Sequence, residues 1–316
     1  MKILSVLTAV LITVSACGAS PPELPPNSPS EMLSVLTGNT GEDTLEKVTT
    51  YDWDDDGAAA GARFTWIGRD AASTDAATTS EAAQGAAVLA QYLMDNAGSL
   101  KAVSSGFLGM SKVTAAQLNP QLIRAYATAL APHLSEFVGG KQSAFGTVRT
   151  KVSDDPSALR NLMSVLVADP EAGRTAVEAA HSATRLYEDA AAAAPPDSDE
   201  SVAALRAAGT LMGAAYGAVT LAGSDVPTPP IGEATNEMAV RIATILVPSD
   251  PNPAKVSKYV KDGTLLTPAE FESTTPNAPM RTYYLDLQDY VTGKGFGDGM
   301  TAFHHAFMAS SGVPPP

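Results

Sequence analysis

The amino-acid sequence predicts an all-α fold, an irregular multi-helix array, and three observations support this. Alanine is abundant and aromatic residues make up only 6% of the chain. This composition favours helix because Ala loses no side-chain entropy on becoming helical. Asn-Pro and Asp-Pro pairs recur at uneven intervals, and such pairs are typical of helix starts. Apolar residues after these pairs follow three- and four-residue spacing, the pattern of an amphipathic helix.

The predicted helix starts share one chemistry. Asn119, Asp155 and Asp169 each precede a proline, so we expect their side chains to cap the free amides of the helices that follow. Thr267 begins a capping-box sequence before another proline. Pro132 lies inside the apolar pattern after Asn119, which predicts a kink or a junction of two helices there.

Residues 201–222 carry the strongest helical pattern. Gly209, Gly213 and Gly217 lie four residues apart on one face of this helix. Since glycine weakens a helix, their repetition predicts close approach of a partner helix. A membrane span with a small-residue dimer face is the alternative, because Ala207–Ser224 is free of charge and near the minimum spanning length. We favour a central buried helix of a soluble domain.

The N-terminus predicts export and lipid attachment. Residues 1–16 combine one cation, Lys2, with a short apolar run and small residues, as in a secretory signal peptide. Residues 14–17, Val-Ser-Ala-Cys, resemble the lipobox of bacterial lipoproteins, which implies lipidation of the Cys17 thiol and cleavage just before it. An ordinary secretory signal is the alternative. Cys17 is the only cysteine, as expected of a chain that folds outside the cytoplasm without disulfides.

Composition shifts divide the chain into four parts. They are a signal peptide (residues 1–16), a lipid-anchored Pro- and Ser-rich tether (17–30), a helical domain (31–225) and a C-terminal helical extension (226–316). The predicted location is the extracytoplasmic face of the cell membrane. The net charge of −14 argues against nucleic acid as a partner, so the expected partners are the membrane, through the lipid, and envelope proteins.

An acidic motif at residues 51–57, YDWDDDG, has two interpretations. Carboxylates at alternate positions before a glycine form the first half of a calcium loop; these are Asp52, Asp54 and Asp56. The twelfth position of that loop should be Glu and is Arg63, which we expect to pair with one of the aspartates instead. The favoured interpretation is that one of residues 54–56 caps a helix running from about Gly57 to Ile67. No cofactor is therefore expected, with calcium as the alternative.

The remaining residues give no catalytic motif, so the sequence does not predict an enzyme. The four histidines are expected at the surface or in packing roles; they are His133, His181, His304 and His305. Alternating glycines over residues 293–299 predict a flexible turn. We expect helices near residues 252–261, 268–273 and 279–291, a single weak helix within 31–50, and no sheet.

Three stretches together resemble a known actinobacterial family. They are DWDDDGAAAGARFTWIG (residues 52–68), NPQLIRAYATALAPHLSEFVG (119–139) and PSALRNLMSVLVADP (156–170). They are similar to the TPR repeat region found in large mycobacterial proteins, some of which look like secretion-associated or toxin-carrying proteins. The resemblance covers about residues 45–225. It implies a helical module and supplies no catalytic residues.

These observations lead to one expected function and two alternatives. We expect an envelope-anchored lipoprotein that acts as a helical binding or scaffolding module, linked to secretion if the resemblance holds. A calcium- or small-ligand-binding lipoprotein is the first alternative, which a deep apolar pocket would favour. An envelope hydrolase is the second, which a pair of carboxylates in a cleft would favour.

Overall fold

The structure is a computed structural model that describes residues 21–105, 111–276 and 278–314. It is 73% helical with only short strands, so the predicted all-α multi-helix array is confirmed. The α-helices are α1 (Pro29–Thr37), α2 (Gly41–Thr50), α3 (Ala58–Gly61), α4 (Thr65–Arg69), α5 (Ala76–Leu100), α6 (Ala115–Leu118), α7 (Pro120–Leu130), α8 (Gly146–Asp154), α9 (Ser157–Leu166), α10 (Pro170–Ala193), α11 (Asp199–Ala222), α12 (Ile231–Leu246), α13 (Pro268–Thr274), α14 (Met280–Val291) and α15 (Gly297–Ser311). Two antiparallel hairpins pair β1 (Val103–Ser105) with β2 (Ser111–Val113) and β3 (Val260–Lys261) with β4 (Thr264–Leu265).

The first core extends from α1 to α11 and is built around α5. This helix packs against α1, α4 and α9 through a face of alanines, with Leu89 and Leu93 fully buried. The sequence analysis did not identify α5, because alanines on all its faces leave little contrast between a buried and an exposed side. Leu24 from the predicted tether packs against this core.

The second core lies at the other end of α10 and α11. It joins Leu205 and Met212 of α11 to α12, α14 and α15, whose contributions include Met238 and Tyr283. Both α10 and α11 therefore contribute residues to the two cores. The boundary at residue 225 between a helical domain and an extension stays a prediction.

The glycines of α11 face a partner helix, as predicted, and that helix is α15. A Cβ atom added to Gly209, Gly213 or Gly217 would overlap backbone carbonyl oxygens of α15. At Gly213 it would also lie 2.7 Å from the Cα of Phe307. The two backbones pack together closely because α11 carries no side chain at these three positions. Asp199–Ala222 is long and apolar enough to cross a membrane, but 72% of its apolar window is buried inside the protein.

Several local predictions are wrong. Residues 31–50 form two helices, α1 and α2, with Gly38 ending the first of them. The helix expected near 252–261 is a 3-10 turn, Ser257–Tyr259, followed by the β3–β4 hairpin. The glycines after residue 292 form a π-helical turn, Thr292–Phe296, that leads directly into α15, with Gly295 at a φ of 89°. Pro132 does end the preceding helix, because α7 gives way to the 3-10 helix Ala131–Phe137.

Candidate functional site

The predicted lipidation site, Cys17, lies outside the described residues, as does the signal peptide. Lipidation of this thiol and location at the membrane stay predictions that rest on the sequence.

The acidic motif forms a capped turn rather than the start of one long helix. Asp55 accepts hydrogen bonds from the backbone N–H groups of Gly57 (3.1 Å) and Ala59 (2.8 Å), so one of the three consecutive aspartates does act as the cap. The helix that follows is only α3, and the chain turns again before α4. The single helix predicted from Gly57 to Ile67 is therefore wrong. This segment packs closely on α7 at Gly57, Gly61 and Gly68, where an added Cβ atom would overlap atoms of α7.

Asn119 has a different role from the one predicted. Its side chain is fully buried and forms no capping hydrogen bond with the backbone of α7. Its Nδ2 group donates to the carbonyl oxygens of Thr49 (3.1 Å) and Tyr51 (2.6 Å), and its Oδ1 accepts from the N–H of Trp53 (3.3 Å). Asn119 thus holds the acidic motif in place through three backbone groups. Asp155 and Asp169 do accept from the amides that follow their prolines, as predicted.

The structure shows where the three carboxylates suggested for calcium lie. Asp52, Asp54 and Asp56 are exposed, and the carbonyl of Asp56 accepts from the N–H of Gln121. Within the described ranges, no group of three or more His, Cys, Asp or Glu side chains is arranged to hold a metal ion. Arg63 forms no ion pair with these aspartates, and its buried Nε has no hydrogen-bond partner among the described residues, so the predicted pairing is wrong. Calcium binding stays an untested alternative.

The best candidate site is a cleft of about 460 Å³ between α10 and α12. Met212 of α11, Pro268 of α13 and Tyr284 of α14 also line it. Polar residues on one face of α10 point into it; they are His181, Thr184 and Glu188. Their spacing of three and four residues places them in a row along the helix.

Two polar groups of this row lack hydrogen-bond partners among the described residues. Thr184 is 4% exposed and Glu188 is 5% exposed. The Thr184 hydroxyl and the Nε2 atom of His181 are buried without a hydrogen-bond partner in the described chain. A buried polar group left without a partner costs about 1–3 kcal/mol, so these groups are suited to hydrogen-bond with a bound molecule. A ligand able to hydrogen-bond with these groups would remove that cost.

The electrostatics of the cleft keep the row largely uncharged at neutral pH. Burial raises the pKa of Glu188 to about 8; Arg241 opposes this shift, while Glu237 adds to it. Burial lowers the pKa of His181, and the nearby Arg185 lowers it further. Loss of solvent around its carboxyl also raises the pKa of Glu237, against the opposing effect of Arg185. The cleft therefore holds a carboxyl that is protonated near neutral pH beside a second carboxyl, a pairing suited to binding or to acid–base chemistry.

A larger cleft of about 630 Å³ lies beside α8, α10 and α11. Six of its sixteen lining residues are alanines, and it carries three cations, Lys141, Arg149 and Arg206. Arg149 already donates to the carbonyls of Glu136 and Gln142. No buried polar atom without a partner lines this cleft in the described part of the chain, so the α10–α12 cleft is the stronger candidate.

The sequence analysis placed the other histidines correctly. His133 is buried, with its Nε2 atom 3.2 Å from the carbonyl oxygen of Ile67, and burial lowers its pKa. His304 and His305 are exposed on α15. Only His181 lines the candidate cleft. The sequence carried one usable sign of this site, since Glu188 continues the buried stripe of Val177, Ala180 and Thr184 where an apolar residue is expected.

Comparison with known proteins identifies no relative. No protein-family model, curated protein sequence or solved structure matches the chain.

Proposed function

We propose that the protein is a lipid-anchored, extracytoplasmic binding protein whose small polar ligand occupies the cleft between α10 and α12. One observation carries the choice of a small ligand over a protein scaffold. The Thr184 hydroxyl is almost completely buried, lines the cleft and makes no hydrogen bond to another described residue, and the Glu188 side chain next to it on α10 is only 5% exposed. The volume of about 460 Å³ lies within the usual range for small-molecule sites.

The lipid anchor is supported by the sequence around Cys17 and by the charge of the chain. A net charge of −14 opposes attachment to anionic lipid headgroups, so a covalent lipid is the expected means of membrane attachment. The helical body would then be displayed outside the membrane, where its cleft is open to small molecules of the envelope.

Co-purification tests the ligand. The full-length protein is isolated from its native envelope, denatured, and the released small molecules are identified by mass spectrometry. Thr244→Trp places a large side chain at an exposed position of the α10–α12 cleft, and Thr210→Trp places one at a half-buried position of the larger cleft. We expect a molecule that is present with the wild type and Thr210→Trp and absent with Thr244→Trp. Equal recovery from all three, or none from any, would refute the proposal.

A hydrolase is the second candidate, because Glu188 and Glu237 line one cleft and the first is protonated near neutral pH. Such a pair can divide the roles of general acid and general base. Incubation with purified cell-wall material, followed by mass spectrometry of soluble fragments, tests it. Fragments that appear with the wild type and not with Glu188→Gln would favour the enzyme over the binding protein.

A further inference from the structure

We propose that the ligand of the α10–α12 cleft carries an ammonium group, which donates hydrogen bonds to the carboxyl groups of Glu188 and Glu237. This inference rests on the proposed binding function and adds the chemical class of the ligand.

The charged and titratable groups around Glu188 come from three helices. They are His181, Arg185 and Asp189 on α10, Glu233, Glu237 and Arg241 on α12, and Tyr284 on α14. Arg241 forms a two-bonded ion pair with Asp189 at 2.6 Å for each contact, so these two charges largely cancel. Of the remaining charged groups that line the cleft, Glu188 and Glu237 then face one exposed cation, Arg185. Once Glu188 is ionised, the carboxylates outnumber this cation, so a cationic ligand is favoured over an anionic one.

The free groups of the cleft are suited to a donor-rich ligand. A carboxylate only accepts hydrogen bonds, and an ammonium group offers three donors, so one ammonium can serve both carboxyl groups. Loss of the Glu188 proton on binding exchanges a neutral buried acid for an ion pair. The Thr184 hydroxyl remains free to accept a further donor from the ligand.

The body of the ligand is expected to be apolar. Met212, Ala234 and Val240 line the same cleft as the polar row of α10. A short carbon chain next to the ammonium would cover these side chains while the charged end reaches Glu188. Ligand sites with mostly apolar walls and a few polar groups that fix orientation are the general rule.

Butylammonium, butanol and butyrate form a matched set of probes, because they share a carbon chain and differ in the polar end. Binding to the full-length protein is measured by calorimetry in buffers of different ionisation enthalpy. We expect butylammonium to bind most tightly and to release protons on binding. With a Glu188 pKa of about 8, the ionised fraction rises about tenfold between about pH 7 and about pH 9, and the affinity should rise by the same factor. Butanol affinity should stay constant.

Glu188→Gln keeps the shape of the side chain and removes its charge. We expect it to weaken butylammonium binding at about pH 9 by about tenfold and to remove the pH dependence, because a hydrogen bond to a charged group is lost. Glu178→Gln, on an exposed site of the same helix, is the control and should change neither. The pH profile of the wild type tests the proposal independently if the Gln variant does not fold.

The outcomes separate this inference from the proposed function. Butanol binding as tight as butylammonium, without proton release, would overturn the ammonium class and leave the cleft as a ligand site. Binding of none of the three probes would also overturn the class, and co-purification with the Thr244→Trp comparison would then decide the binding function by itself. Unchanged butylammonium binding in Glu188→Gln would show that the cation lies elsewhere.

Discussion

Gly213→Ala tests the contact between α11 and α15 most directly. Gly213 is the middle of three glycines that face the backbone of α15, and an added methyl group would overlap the carbonyl oxygen of Phe307. It would also lie 2.7 Å from the Cα of Phe307, whereas ordinary contacts of a Cβ atom begin near 3.4 Å. Relief requires the two backbones to separate by roughly 1 Å, because neither obstacle is a flexible side chain.

Two opposing free-energy terms set the size of the effect. Overpacking of this kind costs about 1–3 kcal/mol, and a rigid backbone obstacle places Gly213→Ala at the upper end. Replacing glycine by alanine inside a helix stabilises the helix by about 1 kcal/mol, because alanine has the higher helix propensity. We therefore expect Gly213→Ala to lower the free energy of unfolding by about 2 kcal/mol. Urea unfolding of the full-length protein, followed by its helical circular dichroism, measures this value.

Gly98→Ala is the matched control. Gly98 lies in the last turn of α5, is exposed, and has no atom within 4 Å of the position a Cβ would take. The same substitution there should raise the free energy of unfolding by about 0.5 kcal/mol, because only the propensity term remains. The two variants should therefore move in opposite directions. A Gly213→Ala protein as stable as Gly98→Ala would refute the close packing of α11 on α15.

Three further predictions concern the N-terminus, the acidic motif and Glu188. Intact-mass analysis of membrane extracts should show a lipid adduct on the wild type and none on Cys17→Ala; the same lipidated species in both would refute lipidation at this thiol. Asp55→Ala should cost about 1 kcal/mol of stability through loss of the cap, Asp54→Ala should cost less than about 0.5 kcal/mol, and about 1 mM calcium should leave both melting temperatures unchanged. Because the folded-state pKa of Glu188 is raised to about 8, the folded protein holds this proton more tightly than the unfolded chain. Stability should therefore fall as pH rises from about 4.5 to about 8, and Glu188→Gln should flatten that fall in unfolding measurements; an unchanged slope would contradict the burial of this carboxyl.

Local rules predicted the parts of the fold in which neighbouring residues decide the structure. Asp169 caps α10 because the residues that it caps lie two and three positions further along the chain. The glycines of α11 could be interpreted because their repeat requires close approach whatever the partner is. The partner itself, α15, could not be predicted, since no local pattern links Gly213 to Phe307.

Long-range contacts overrode local preference at several positions. Asn119 precedes a proline and was expected to cap α7, yet its side chain is used by backbone groups of residues 49–53. The cleft depends on the same kind of information, because α10 contributes one wall and α12 and α14 contribute others. A sequence shows that Glu188 falls on a buried stripe, but not that the space opposite it is open.

Two buried polar side chains, Asn119 and Glu188, differ in whether the fold supplies hydrogen bonds to them. Asn119 is fully buried, and three hydrogen bonds to the backbone of residues 49–53 compensate for its loss of solvent. Glu188 is 5% exposed and has no such bonds within the described chain, so no hydrogen bond compensates for its loss of solvent. Buried polar residues without compensating interactions in the fold are expected at functional sites. That contrast is the physical reason to assign function to the α10–α12 cleft and structure to the acidic motif.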